Sequence, residues 1–208
     1  ASILLTGTIE VNGDLTNDGT FEVTSGSSLI TYDGNTIADN ITFSRNTRYS
    51  DGKYSFVGVP VENGGSAITG DQLGNHVYSY DESASAIADD LARWIDASSD
   101  VLVPGRGYTQ AEQQTIEFTG RPNDGSISYT ASAVNDGFHL LSNPYPAAID
   151  VNEFIDGNSE ITGTLYVWDD NGSDTGRGSN SDYIVVTKTG ATDNNGPDNE
   201  SRWNGHIG

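Results

Sequence analysis

The run Asp169-Asp170-Asn171-Gly172-Ser173-Asp174-Thr175-Gly176 is the densest set of hard oxygen donors in the sequence. Calcium takes six to eight such oxygens at about 2.3–2.6 Å, and a short Asp/Asn/Gly loop can wrap them around one ion. Asp169, Asn171 and Ser173 alternate as ligands do in such loops, Asp174 adds a carboxylate, and Asp182 can close the site from the following strand. These are the expected metal ligands, and calcium is the expected ion. The spacing follows the first half of an EF-hand loop, but Asn180 stands at the twelfth position, where that loop uses a bidentate Glu. The plain alternative is a solvated turn, a common use of Asp, Asn and Gly. A second acidic run, Asp193-Asn194-Asn195-Gly196-Pro197-Asp198-Asn199-Glu200, offers the same chemistry less completely.

The aromatic residues form the other candidate set. Trp94, Trp168 and Trp203, with Tyr49, Tyr108 and Tyr145, offer flat faces for a sugar ring, and Asp, Asn or Arg beside them offer hydrogen bonds. Trp168 and Trp203 adjoin polar loops. With Tyr145 and Arg177 they are the expected ligand contacts, and a polysaccharide or cell-surface glycan is the expected ligand. Against this, aromatics in a β-sandwich mostly fill the core.

Catalysis has little to rest on. His76, His139 and His206 lack the spacing of a zinc site, and no Gly-x-Ser-x-Gly elbow or phosphate-cradling Gly-Lys-Ser/Thr loop occurs. With no Cys there is no thiol nucleophile and no disulfide framework. Thirty acidic side chains make some carboxylate pair inevitable, so such a pair carries no information. A non-enzyme is expected.

Charge narrows the partners further. Nine basic against 30 acidic residues leave a net charge of −21, the wrong sign for nucleic acid or for an anionic lipid surface. No apolar run approaches the roughly 18 residues of a membrane span. Few Lys, many Gly, Asn, Asp, Ser and Thr, and ten Tyr fit an extracellular β-protein. Without Met, the chain is expected to be a mature or excised piece.

The elements that must position these residues are short strands. Gly7-Thr8-Ile9-Glu10-Val11 recurs as Gly19-Thr20-Phe21-Glu22-Val23, and each copy alternates apolar and polar side chains. The pair forms either a hairpin or meander, or the last rungs of a β-solenoid. Further strands are expected at Ile41–Phe43, Tyr54–Val59, His76–Tyr80, Thr115–Phe118, Phe138–Leu141, Leu165–Trp168 and Tyr183–Val186. Residues 83–96 have a helical spacing of Ala and Ile, but a loop leading into a strand at Arg93-Trp94-Ile95 suits the uniformly β surroundings better. Asn123-Asp124-Gly125 predicts a hairpin turn between residues 116–118 and 127–129. Val151–Ile155 reads as one helical turn with Asp150 as its N-cap.

Several of these segments together resemble a known group. Asn143-Pro144-Tyr145-Pro146-Ala147-Ala148-Ile149-Asp150, Trp168-Asp169-Asp170 and the terminal Trp203-Asn204-Gly205-His206-Ile207-Gly208 carry the likeness. Ser44–Tyr49, Tyr54–Pro60, Tyr80–Ser83 and Pro104–Tyr108 fit it as well. The chain resembles a β-rich region of large secreted or cell-surface proteins of Bacteroidota, adhesin-like and exported by the type IX route. The resemblance spans roughly residues 41–208 and transfers no catalytic residue. In such proteins the Trp-Asn-Gly stretch runs on into another strand. A missing final strand, or one supplied by another chain, is therefore expected, leaving a sheet edge for β-augmentation.

The expected fold is all-β: a β-repeat or solenoid-like segment over 1–38, then a jelly-roll-like β-sandwich with long acidic loops over 39–208. The expected role is adhesion through calcium-assisted glycan binding, outside the cell. The competing role is that of a stalk or filament subunit joining copies of itself through strand edges.

Overall fold

The structure is a computed structural model that describes residues 2–32, 40–47, 54–62, 68–84, 90–111, 115–168, 183–192 and 206–207. Short strands in several sheets, with one short α-helix among the described residues, make the fold all-β.

The N-terminal strands are β1 (Ser2–Leu5), β2 (Thr8–Val11), β3 (Thr20–Val23) and β4 (Ser28–Thr31). Both ladders among them are parallel: β1 pairs with β3, placing Ile3 opposite Phe21, and β2 pairs with β4, placing Ile9 opposite Leu29. The two copies of the sequence repeat, β2 and β3, therefore do not pair with each other as a hairpin would require. Ser2 instead faces Thr20, and Thr8 faces Ser28. In this arrangement Phe21, Val23 and Leu29 all turn into one core. The corner after β3 is fixed by the Leu5 carbonyl, which accepts from Thr24 N, Thr24 Oγ1 and Ser27 Oγ at 3.1, 2.8 and 3.0 Å.

The chain continues through β5 (Ile41–Asn46), β6 (Ser55–Val57), β7 (Val61–Glu62), β8 (Tyr78–Tyr80), β9 (Trp94–Asp96), β10 (Tyr108–Gln110) and β11 (Thr115–Pro122). β5 changes the character of the sheet. It pairs in parallel with β3, Val23 opposite Phe43, and antiparallel with β11, Phe43 opposite Phe118. The result is a five-stranded sheet of order β1-β3-β5-β11-β7. β11 buries every second residue, Ile116, Phe118, Gly120 and Pro122, as its alternating sequence requires. An antiparallel sheet of order β6-β10-β8-β9 contributes Val57 and Tyr108 to the same core. As expected, Trp94–Ile95 lies in a strand, reached through a 3-10 turn over Asp90–Arg93.

The last elements are β12 (Ile149–Asp150), α1 (Val151–Gly157), β13 (Thr164–Trp168), β14 (Tyr183–Thr187), β15 (Gly190–Ala191) and β16 (His206–Ile207). Asp150 caps α1 as its sequence predicts, its carboxylate accepting from Asn152 N and Glu153 N at 2.8 and 3.0 Å. A second small core forms from Val151, Ile155, Ile184 and Val186.

Two expected strands, at 127–129 and 138–141, are absent. Residues 123–148 form no ladder beyond an isolated bridge between Arg106 and Leu141. Gly125 does turn, with φ +64°, but no hairpin follows. The chain leaves the sheet because Asn123 is buried and spends its side chain on other backbone: Nδ2 donates to Val59 O and Pro144 O at 2.8 and 2.7 Å. Phe138, expected in a strand, is exposed and meets the Tyr166 ring edge-on at 5.7 Å.

Candidate functional site

Strand register collects the aromatic residues on one face of the β6-β10-β8-β9 sheet. Phe56 lies opposite Thr109, Thr109 opposite Tyr78, and Tyr80 opposite Trp94. Because side chains alternate along a strand, these residues share a face, while Val57, Tyr108 and Ser79 point the other way into the core. The aromatic rings touch one another. Tyr80 meets Trp94 edge-on at 5.3 Å, Phe56 lies 6.2 Å from Trp94, and Tyr54 meets Tyr78 at 6.2 Å.

The β13-β14 ladder closes over this face. Trp168 and Tyr183 are register partners, their rings edge-on at 5.0 Å, and Trp168 stacks on Phe56 at 5.1 Å. The Trp168 indole N–H donates to Tyr54 O at 3.0 Å. Trp168 is thus half-buried at a junction between sheets, with its one donor satisfied by backbone. Thr109, only 3% exposed, sits among these rings, and its hydroxyl has no hydrogen-bond partner among the described residues. An unpaired buried hydroxyl is costly, so this polar atom in an aromatic floor stands out.

Two buried charged side chains hold the neighbouring irregular segment in place. The Glu82 carboxylate is 2% exposed and accepts from Val134 N at 2.8 Å, Gly137 N at 3.0 Å and Asn135 N. The Gly137 N–H above all, with those of Val134 and Asn135, holds the Glu82 acid below the usual glutamate range, against the opposing effect of burial. Arg93, 7% exposed, donates from Nη1 to Asp136 Oδ2 at 2.6 Å and to Tyr80 OH at 3.1 Å, and from Nε to Ala84 O at 3.3 Å. Asp136 and then Tyr80 raise its affinity for the proton. Gly107 permits a third attachment: its N–H donates to Leu140 O at 2.9 Å, and a Cβ there would lie 2.6 Å from Leu140 Cγ.

The sequence-derived site residues fall apart into several places. Trp94 and Trp168 share the aromatic junction. Tyr145 lies elsewhere, its hydroxyl donating to Gly125 O at 2.7 Å and accepting from Ile127 N at 3.3 Å. Tyr108 is in the core, 1% exposed, and its oxygen accepts from Val103 N at 2.8 Å, so it is no stacking platform. Asp169, Asn171, Ser173, Asp174, Arg177, Asp182, Trp203, Tyr49 and the run 193–200 lie outside the described residues. Among the described residues, no three His, Asp or Glu side chains group as a metal site would. No described helix is long and apolar enough to cross a membrane. Sequence reasoning missed Phe56, Thr109, Glu82 and Arg93. Only Phe56 had a signal, its place in an alternating strand. Glu82 and Arg93 act on partners 52 and 43 positions along the chain, which no local pattern announces.

A family model described as a domain of unknown function (DUF8693) matches residues 2–207, and the chain belongs to that family. No curated protein and no solved structure matches it.

Proposed function

For this family member we propose a non-catalytic role as a module of a secreted or cell-surface protein, in which a parallel β-solenoid passes directly into a jelly-roll-like body. The observation that carries this reading is the double pairing of β5, parallel to β3 on one edge and antiparallel to β11 on the other. A sheet that crosses the join unbroken fixes orientation through backbone hydrogen bonds, where a linker would leave a hinge. The similar steps from Ser2 to Thr20 and from Thr8 to Ser28, with Phe21, Val23, Leu29 and Phe43 inside, support solenoid turns. Such a module is a stalk end that holds its body in a set direction, its charge of −21 favouring solubility.

The reading is tested by unfolding the chain while following two regions at once. Amide exchange reports β2 and β4, and fluorescence of a Trp203→Phe variant reports Trp94 and Trp168 in the body. Coincident transitions are expected of a rigid join. Early loss of β2 and β4 protection, with fluorescence unchanged, would sink the proposal.

A second reading, adhesion, is favoured by the half-buried aromatic junction and the Thr109 hydroxyl within it, which has no partner among the described residues. The chain between the paired ends Trp168 and Tyr183 is the acidic run 169–182. In this reading Trp168, with Trp203 and Arg177, contacts a glycan, and calcium on Asp169, Asn171, Ser173, Asp174 and Asp182 orders the loop. Retardation by polysaccharides with calcium, abolished by a chelator, is the expected result. Retardation unchanged by the chelator would remove calcium from the account.

A further inference from the structure

We infer that the open edge formed by β1 and β2 is a docking end for one more turn of the same parallel coil, carried N-terminal to Ser2 in the same polypeptide. This rests on the solenoid reading above and deepens it by naming what the edge receives.

Ile3 is 39% exposed although its register partner Phe21 is 4% exposed, and Ile9 is 40% exposed although its partner Leu29 is 1% exposed. Register partners in a parallel ladder point to the same side of the sheet, so Ile3 and Ile9 occupy interior positions of the coil. Among the described residues β1 and β2 are edge strands of their sheets, which leaves both side chains open to solvent. Ile3 and Ile9 thus belong to core columns that are one layer short, whereas Leu4, 61% exposed, lies on the outer face with its register partner Glu22.

The form of the edge selects the occupant. Among the described residues no further strand pairs with β1 or β2 on the outer side, and each is already one side of a parallel ladder. One turn of coil can satisfy both edges at once and cover both columns. Its two short strands would precede β1 and β2 by the same steps that separate Ser2 from Thr20 and Thr8 from Ser28. The edges carry little that would repel such a strand. β1, Ser-Ile-Leu-Leu, has no charge or proline, and β2, Thr-Ile-Glu-Val, has the single Glu10. Proteins usually blunt a sheet edge that is meant to stay free with Lys, Pro or a bulge.

The test adds a second copy of Ser2 through Gly19 in place of Ala1. The copied β1 then stands as far ahead of its original as Ser2 stands ahead of Thr20, and the copied β2 stands two residues nearer its original than Thr8 stands to Ser28. The expected result is a higher Tm and about tenfold slower exchange of the original β1 amides than in the unextended chain, since a central strand exchanges from a more stable unit. Ile3→Lys should abolish both gains. Unchanged β1 exchange, with the added turn remaining protease-sensitive, would overturn the inference. So would an unextended chain that sediments as a dimer and is made monomeric by Ile3→Lys, because the edge would then take a second copy. Val23→Asp in the unextended chain separates this failure from failure of the solenoid reading. Val23 is fully buried between β1 and β5, so an unchanged Tm there would remove the coil itself.

Discussion

Residues 2–31 and residues 123–148 are both held to the same body, but by different bonds. In the first region backbone pairs with backbone, and four short strands take parallel partners, β1 with β3 and β2 with β4. In the second region no strand forms before β12, and side chains hold the backbone: Asn123 at Val59 and Pro144, Glu82 at three turn amides, Arg93 at Asp136, and Tyr145 at Gly125. The two regions also meet, since Leu29 N donates to Pro146 O at 2.8 Å and Ala148 N to Ser28 Oγ at 3.1 Å. Ladders spread stability over many replaceable bonds. Side-chain anchors concentrate it in a few residues that cannot be exchanged. Substitutions should therefore act broadly in one region and sharply in the other.

The largest effect is expected where the ladders join. Phe43→Ala empties a core position shared by β3 and β11 and should cost about 3–5 kcal/mol in denaturant unfolding. Both regions should weaken together, and a loss confined to the N-terminal strands would break the comparison. Trp168→Ala comes next, at about 3 kcal/mol, because the half-buried ring stacks on Phe56 and its indole N–H is satisfied at Tyr54. An unchanged Tm with weakened glycan retardation would instead assign Trp168 to ligand. Asn123→Ala should cost about 2 kcal/mol, since two carbonyls lose their donor and one contact is buried.

Glu82 sharpens the contrast through pH. Its folded acid is weakened in proton affinity by three backbone N–H groups, so the charged form is favoured by folding. The stability this contributes is full above the unfolded glutamate value, about 4.3, and is lost as pH falls through the lower folded value. Glu82→Gln should lower Tm at neutral pH and flatten the acid limb of the Tm–pH curve. An unaltered acid limb would show that Glu82 does not govern it.

The contrast also explains what could be read in the sequence. Thr20–Val23, Thr115–Phe118, Leu165–Trp168 and Tyr183–Val186 each form a strand or part of one, because a pleat with one buried face imposes a period of two. Asp150 announced the start of α1 because capping is local chemistry. Pairing was harder to read. The repeat located β2 and β3 but left hairpin and solenoid open, since two copies do not specify their partners. Asn123-Asp124-Gly125 has the letters of a hairpin turn, yet the buried side chain of Asn123 binds elsewhere, and partners 64 and 21 positions away leave no mark on local spacing. The same reason hid the aromatic junction: Phe56, Trp94 and Trp168 meet only after their strands are in register.

The most direct test of the join at β5 uses the absence of native cysteine, which gives any engineered disulfide a clean background. Thr42 lies opposite Glu22 in the parallel ladder and opposite Thr119 in the antiparallel one. Adjacent strand positions fall within disulfide reach, at Cα separations of about 4.4–6.8 Å. Two double variants would be oxidised and mapped, Glu22→Cys with Thr42→Cys and Thr42→Cys with Thr119→Cys. Both disulfides should form in full. Formation of the second alone, or a ready disulfide in a Glu10→Cys with Glu22→Cys control that brings β2 and β3 together, would contradict the account.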